Sequence, residues 1–170
     1  MIYVGIDNGL DGGIVGIDHK LQVVGAHVMP TLQVGSKKSK KARILDIHAC
    51  WDILRDFAAH DDVYVVLEKA QSMPKQGVSG VFKYGEGFGA MQAILIGLNV
   101  PHEITHPTHW QKAVLKGVIG TDTKTRAILK CRRALPQLDL TPGRKRKPHT
   151  GLADGGCMAL HAFTVRNPFR

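Results

Sequence analysis

Apolar, β-branched runs dominate the first thirty positions. Residues 2–6, 12–18 and 21–29 are rich in valine and isoleucine, and glycine turns and the polar pair His19-Lys20 separate them. Runs bounded in this way predict strands, and connections this short predict an antiparallel meander. The basic stretch 35–43 (GSKKSKKAR) reads as a mobile loop. The period then changes: Ile47, Cys50, Trp51, Leu54, Phe57 and Ala58 recur at helical spacing. The apolar run VYVVLE follows, so residues 46–68 read as a crossover into a further strand that ends at Glu68.

The second half is punctuated differently. Residues 69–82 (KAQSMPKQGVSGVF), rich in glycine, serine and lysine, read as a loop, and a helix is expected from 83 to 98. Glycines at 85, 87, 89 and 97 would weaken that helix, which implies close packing against something. Residues 100–106 predict a short strand. Pro107 and Thr108 then open a short helix containing Trp110, ended by Gly117. Thr121 or Asp122 caps another helix through Leu135, stopped by Pro136. A basic, proline-rich loop over 136–148 leads to a final helix at 151–165, whose buried face is expected to be Leu152, Met158 or Ala159, and Phe163. No repeat or boundary interrupts the pattern, so one domain over 1–170 is expected.

Charge and cysteine usage narrow the partners. The 170 residues carry a formal net charge of +9. The excess is clustered at Lys37, Lys38, Lys40, Lys41 and Arg43, then at Lys124, Arg126, Lys130, Arg132 and Arg133, then at Arg144 to Lys147. Such patterning favours a polyanion, nucleic acid above all. No apolar run approaches membrane-spanning length, and MIYVGID lacks the layout of a signal peptide. The cysteines at 50, 131 and 157 are odd in number and far apart, against a disulfide framework or a zinc knuckle. A cytoplasmic protein, in a bacterium or a phage-infected host, is the expectation.

Three acids carry the candidate chemistry. Asp7 ends the first apolar run and opens a glycine-rich turn, Glu68 ends VYVVLE, and Asp154 opens the last helix in HTGLADGG. Taken singly, Asp7 could serve its own turn and Asp154 the helix dipole. Brought together, three carboxylates would repel unless a cation joined them, and carboxylate oxygens are the ligands that Mg²⁺ selects. His149, five residues before Asp154, is a candidate metal ligand or proton shuttle, or else a structural histidine or phosphate contact. HEITH (102–106) matches the zinc-protease pattern, but Pro101 and Pro107 around it predict a strand, which lacks the helical geometry that motif needs. Asp11 reads as a solvated turn residue, and Glu86 and Glu103 as surface or supporting groups.

Read in series, the motifs resemble the RuvC-type Holliday junction resolvases, within the ribonuclease H-like superfamily, and their phage-encoded branch in particular. GIDNGLDGG resembles the family's first-strand motif, and EKAQSMPKQGVSGVFKYGEGFG the stretch after its second acid. ITHPTHWQKAVL is similar to its proline-tryptophan-lysine element, TDTKTRAILKCRRALP to its basic helix, and HTGLADGGCMAL to its terminal acidic helix. The resemblance implies an α/β fold with a mixed five-stranded sheet of order 3-2-1-4-5 flanked by α-helices. It also implies a homodimer, two Mg²⁺ or Mn²⁺ ions per active site, and paired nicks across a four-way DNA junction, with no organic cofactor. Asp7 would bridge both metals, Glu68 would bind one and Asp154 the other. The family's fourth ligand would fall at Thr150 or Gly151, neither a good ligand, which makes His149 the nearest candidate. Asn8 stands where the family has proline, and Gly155 where it has alanine.

The expected activity is metal-dependent, two-metal hydrolysis of branched DNA. Lys75, Lys83, Lys112, Lys124, Arg126, Lys130, Arg144, Lys145, Arg146 and Lys147 are the candidate DNA contacts. Tyr84 is the candidate for stacking on an unpaired base, whereas Phe82 reads first as a core residue of the following helix. The glycine-bearing helix 83–98 is the candidate dimer face. A nuclease of RNA–DNA hybrids and a non-catalytic junction-binding module are the competing readings.

Overall fold

The computed structural model describes residues 1–35, 42–60, 62–71, 77–144 and 146–168. Three strands open the chain: β1 (Ile2–Asp7), β2 (Gly13–Ile17) and β3 (Val23–Val28). A hairpin of β4 (Thr31–Val34) and β5 (Ala42–Leu45) precedes helix α1 (Ile47–His60) and strand β6 (Val63–Glu68). Helix α2 (Val78–Gly97), strand β7 (His102–Thr105) and helices α3 (Pro107–Val114), α4 (Thr123–Ala134) and α5 (Thr150–Arg166) complete it.

One mixed sheet of order β3-β2-β1-β6-β7 organises the chain. β1, β2 and β3 are antiparallel neighbours, whereas β1, β6 and β7 run parallel. Counting only the strands of this sheet, the order is the expected 3-2-1-4-5. Side-chain alternation along β1 divides the core in two. Ile2, Val4 and Ile6 pack with Leu54 of α1 and Met91 and Leu95 of α2. On the other face Tyr3 and Val66 pack with Trp110, Cys131, Leu152 and Met158, under α3, α4 and α5.

Helix α5 lies on that second face almost backbone to backbone. A Cβ at Gly5 would stand 2.1 Å from the Gly155 carbonyl oxygen and 2.3 Å from the Ala159 nitrogen. One at Gly151 would stand 2.2 Å from the Asp11 carbonyl oxygen. Glycine is therefore required at both contacts, and the close approach fixes where the start of α5 sits relative to β1.

Several sequence expectations change. The last helix has no narrow buried face: from Gly151 to Ala162 every residue is buried except Asp154, because the sheet covers one side and α3 and α4 the other. Helix α2 begins at Val78, not at 83, with Gly77 as its extended N-cap. Its C-terminal half is anchored through Met91, Ile94 and Leu95, and helix propagation carries the exposed first turns outward despite their loop-like composition. The glycines of α2 do not mark close packing along its length. A Cβ at Gly80, Gly85 or Gly89 would meet nothing within 4 Å, and the close contact is at Gly97, 3.2 Å from the Trp51 ring. Phe82 is 66% exposed and is not a core residue, because the first turns of α2 project beyond the sheet. The β4–β5 hairpin was not expected, and its mostly exposed residues explain why no buried pattern announced it. The loop expected at 35–43 falls mainly on residues 36–41, outside the described set. No described helix is long and apolar enough to cross a membrane.

Candidate active site

Asp7 and Glu68 end neighbouring parallel strands, one step beyond the paired Ile6 and Leu67. Alternation puts Asp7 on the side of Tyr3 and Gly5, and Glu68 on the side of Tyr64 and Val66. That is the side covered by α5, which brings Asp154 over them. All three carboxyls are half-buried. Burial pushes Glu68 up to about 7, the Asp7 charge adds to this, and a Trp110 hydrogen bond opposes it. Burial also raises Asp154 to about 7, with Asp7 and Glu68 contributing and Lys124 opposing. Asp7 is raised by burial against the opposing pull of the Gly9 N–H and of Lys124. Glu68 senses the charge of Asp7 and Asp154 that of both, and each of the three gives up its proton to solvent only at a cost.

A stability effect follows. Unfolded, Glu68 and Asp154 titrate near 4.5 and 3.8, but folded near 7. Between those values the native chain holds more protons than the unfolded one, so its stability falls as pH rises through that window and stays low above it. The metal-free protein should melt at least roughly 5 °C lower at pH 8 than at pH 5. Added Mg²⁺ should recover the loss at pH 8. A melting midpoint that rises across this range would show that the acids are not coupled in this way.

The groups around the acids were only partly foreseen. The Trp110 indole N–H donates to Glu68 Oε1 at 2.8 Å, from a ring that is 1% exposed. Trp110→Phe removes the donor that favours the charged carboxylate, so divalent-cation affinity should drop about 10- to 100-fold. Calorimetry with Mn²⁺ measures this, and unchanged affinity would remove Trp110 from the site. The Tyr84 phenol is pushed up by burial and then by the charges of Glu68 and Asp7, so it lies within electrostatic reach of both. Asn8 is 3% exposed, and among the described residues neither polar atom of its amide has a partner. Thr105, paired with Glu68 in the sheet, has an unpartnered hydroxyl as well. Polar atoms left unpaired in this way each cost about 1–3 kcal/mol, which is unusual away from a binding site.

The remaining candidates fall in several places. His149 is the N-cap of α5, its Nδ1 accepting the Leu152 N–H at 3.2 Å, so one ring nitrogen serves the helix. Lys124 lies in the first turn of α4, close enough for its charge to act on Asp7 and Asp154. Arg126 closes the turn before its own helix, donating to the carbonyls of Val118 at 3.0 Å and Leu115 at 2.6 Å. Lys83 is exposed on α2, Lys112 lies in the last turn of α3, Lys130 lies on α4, and Arg146 and Lys147 are exposed before α5. Arg144 ends a short 3-10 turn. Lys75, Lys145 and the lysines at 37, 38, 40 and 41 lie outside the described residues. Asp11 is not merely solvated but pairs with Arg43 at 2.8 Å. Glu103 faces Tyr64 and His161 rather than open solvent. His102 lies in β7 and His106 caps α3, so the two share no helical face.

Solved structures match over nearly the whole length, two of them as follows. One is T. thermophilus RuvC in complex with a Holliday junction substrate, at 22% identity and TM-score 0.64, with 98% of this chain and 96% of that one covered. The other is a Thermus thermophilus RuvC structure, at 23% identity and TM-score 0.58, with 99% and 97% covered. The chain has the RuvC fold. No family model and no curated protein matches the sequence.

The RuvC fold leaves the fit of a cation to be judged from the side chains. Three oxygen-donor carboxylates, all raised by burial and two of them also by the Asp7 charge, are the donor chemistry that a hard divalent ion stabilises. Among the described residues, no three ligand groups already converge into a finished coordination shell. In chemistry, though not yet in spacing, the residues fit the ion.

Proposed function

We propose that this chain is a divalent-metal-dependent endonuclease that nicks branched DNA. The observation that carries the proposal is the meeting of Asp7, Glu68 and Asp154, from two strand ends and a helix, on one side of a RuvC-type sheet. Asp7, Glu68 and Asp154 would hold Mg²⁺ or Mn²⁺, two ions in the full site, with His149 as the candidate fourth ligand. When bound, such ions activate water for attack on the phosphodiester and stabilise the departing 3′ oxygen. Trp110 holds one Glu68 oxygen and so orients the carboxylate. Lys124, whose charge acts on Asp7 and Asp154, would meet the phosphate backbone. Phosphate contacts from Lys83, Lys112, Lys130, Arg146 and Lys147 would position the duplex arms without reading sequence.

A four-way junction offers two strands to cut, which calls for two sites related by a twofold axis. A homodimer built on α2 answers that need. Val78, Phe82 and Ile96 are 87%, 66% and 67% exposed there, on the same stripe as Gly85 and Gly89, where a Cβ would meet nothing within 4 Å. Sedimentation at micromolar concentration tests this, and a monomer would remove the twofold arrangement. The activity itself is tested by competing matched four-way, three-way, flap, duplex and RNA–DNA hybrid substrates with Mg²⁺. Preferential nicking of branched DNA is expected. Preference for the hybrid would transfer the site to ribonuclease H-like chemistry, and tight junction binding without nicking would leave a binding module.

A further inference from the structure

A cleft runs between the β4–β5 hairpin and α2 and ends at Asn8, the residue after Asp7. Its outer part, about 230 Å³, reaches out to Arg43, Ile44, Ile47 and Glu86. Its inner part, about 140 Å³, is walled by Asn8, Leu10, Leu45, Lys83, Tyr84 and Gly87. Leu10, Leu45, Lys83 and Gly87 line both parts, so the two are continuous.

Three features mark the inner part as a built recess. The Asn8 carboxamide stands at its wall, with oxygen and nitrogen cut off from solvent and unpartnered among the described residues. Gly87 keeps space open rather than permitting contact, since a Cβ there would meet only Leu45 Cδ2, at 4.0 Å. The rim is cationic and partly fixed: Lys83 is exposed on α2, and across from it Arg43 is held by Asp11 and by the Leu10 carbonyl.

We propose that this recess receives a single unstacked nucleobase of the strand held at the carboxylates, with Asn8 reading its hydrogen-bonding edge. The proposal rests on the nuclease reading and gives that site a specificity determinant. A carboxamide offers one acceptor and one donor side by side, the complement of a base edge, and adenine is the general match for asparagine. Apolar walls and the Tyr84 ring suit a planar aromatic ligand. Cations at the rim suit the phosphates on either side of it. Asn8 directly follows Asp7, so the base read would neighbour the scissile phosphate. Taking that base out of its stack is easiest where a branch has already unpaired it.

Four-way junctions carrying 2-aminopurine at successive positions around the nick, bound in EDTA, test the proposal. One position should brighten several-fold on binding, and an abasic site there should lower affinity about tenfold. Asn8→Leu and Gly87→Leu, each confirmed as folded by circular dichroism, should abolish both effects. Gly87→Leu fills the recess from a position where a side chain meets open space, so it separates occupancy of the recess from damage to the fold. No brightening at any position, or equal brightening in Gly87→Leu, overturns the recess. Brightening without nicking once Mg²⁺ is added supports the recess and overturns the nuclease reading. Nicking without brightening does the reverse.

Discussion

Asp7→Asn should lower phosphodiester cleavage by at least about a thousandfold while junction binding survives. Asp7 is the acid whose charge reaches both other carboxyls, so losing it would remove the central donor of the proposed cation site. Binding should rest instead on the basic positions distributed over α2, α3, α4 and the approach to α5, which the substitution leaves untouched. The same change should also stabilise the metal-free protein at pH 8, because Glu68 and Asp154 then ionise with less repulsion. Gel-shift titration and a single-turnover assay on one junction, with and without Mg²⁺, read both effects. Wild-type cleavage by the variant would remove Asp7 from the chemistry, and loss of binding in parallel would mean that the substitution disturbs the fold instead.

Gly5→Ala should destabilise the chain by about 3 kcal/mol or more, lowering the melting midpoint by roughly 10 °C. The added methyl would lie 2.1 Å from the Gly155 carbonyl oxygen and 2.3 Å from the Ala159 nitrogen, both backbone atoms of α5. A flexible side chain could swing away, but a helix backbone cannot. Relief requires α5 to lift off β1, which carries Asp154 away from Asp7 and Glu68. Activity at a temperature where the variant remains folded should therefore fall as well. Thermal unfolding checks the first effect, and a midpoint within about 2 °C of wild type would show that α5 does not press on β1 as described.

The contrast between these two residues shows what the sequence made legible. Asp7, Glu68 and Asp154 stand out because each breaks a local pattern, an acid directly after a buried run or opening a helix. The antiparallel run of β1 to β3 was accessible through its short connections and the crossover to β6 through its helical spacing, whereas the strand order rested on the family resemblance. Contacts set by tertiary packing were not. Trp110 and Glu68 are 42 residues apart, and nothing local couples them. The glycines of α5 and those of α2 look alike in sequence, yet Gly151, Gly155 and Gly156 are pressed against the turn after β1, against β2 and against the α4 side, and most of those in α2 face open space. Phe82 has a core residue's chemistry, and only the overhang of α2 past the sheet exposes it. Asn8 stood out in the sequence only as a replacement for the family's proline, because its missing hydrogen-bond partners become visible only once the chain around it is folded.

The central claim is that the three acids cut branched DNA, and mapping nicks on a four-way junction labelled on each strand tests it most directly. With Mg²⁺, the account predicts two symmetric nicks flanking the crossover, each leaving a 5′ phosphate and a 3′ hydroxyl, and none in EDTA or with Asp7→Asn. Nicks scattered along the arms, or cutting that persists in EDTA, would contradict it.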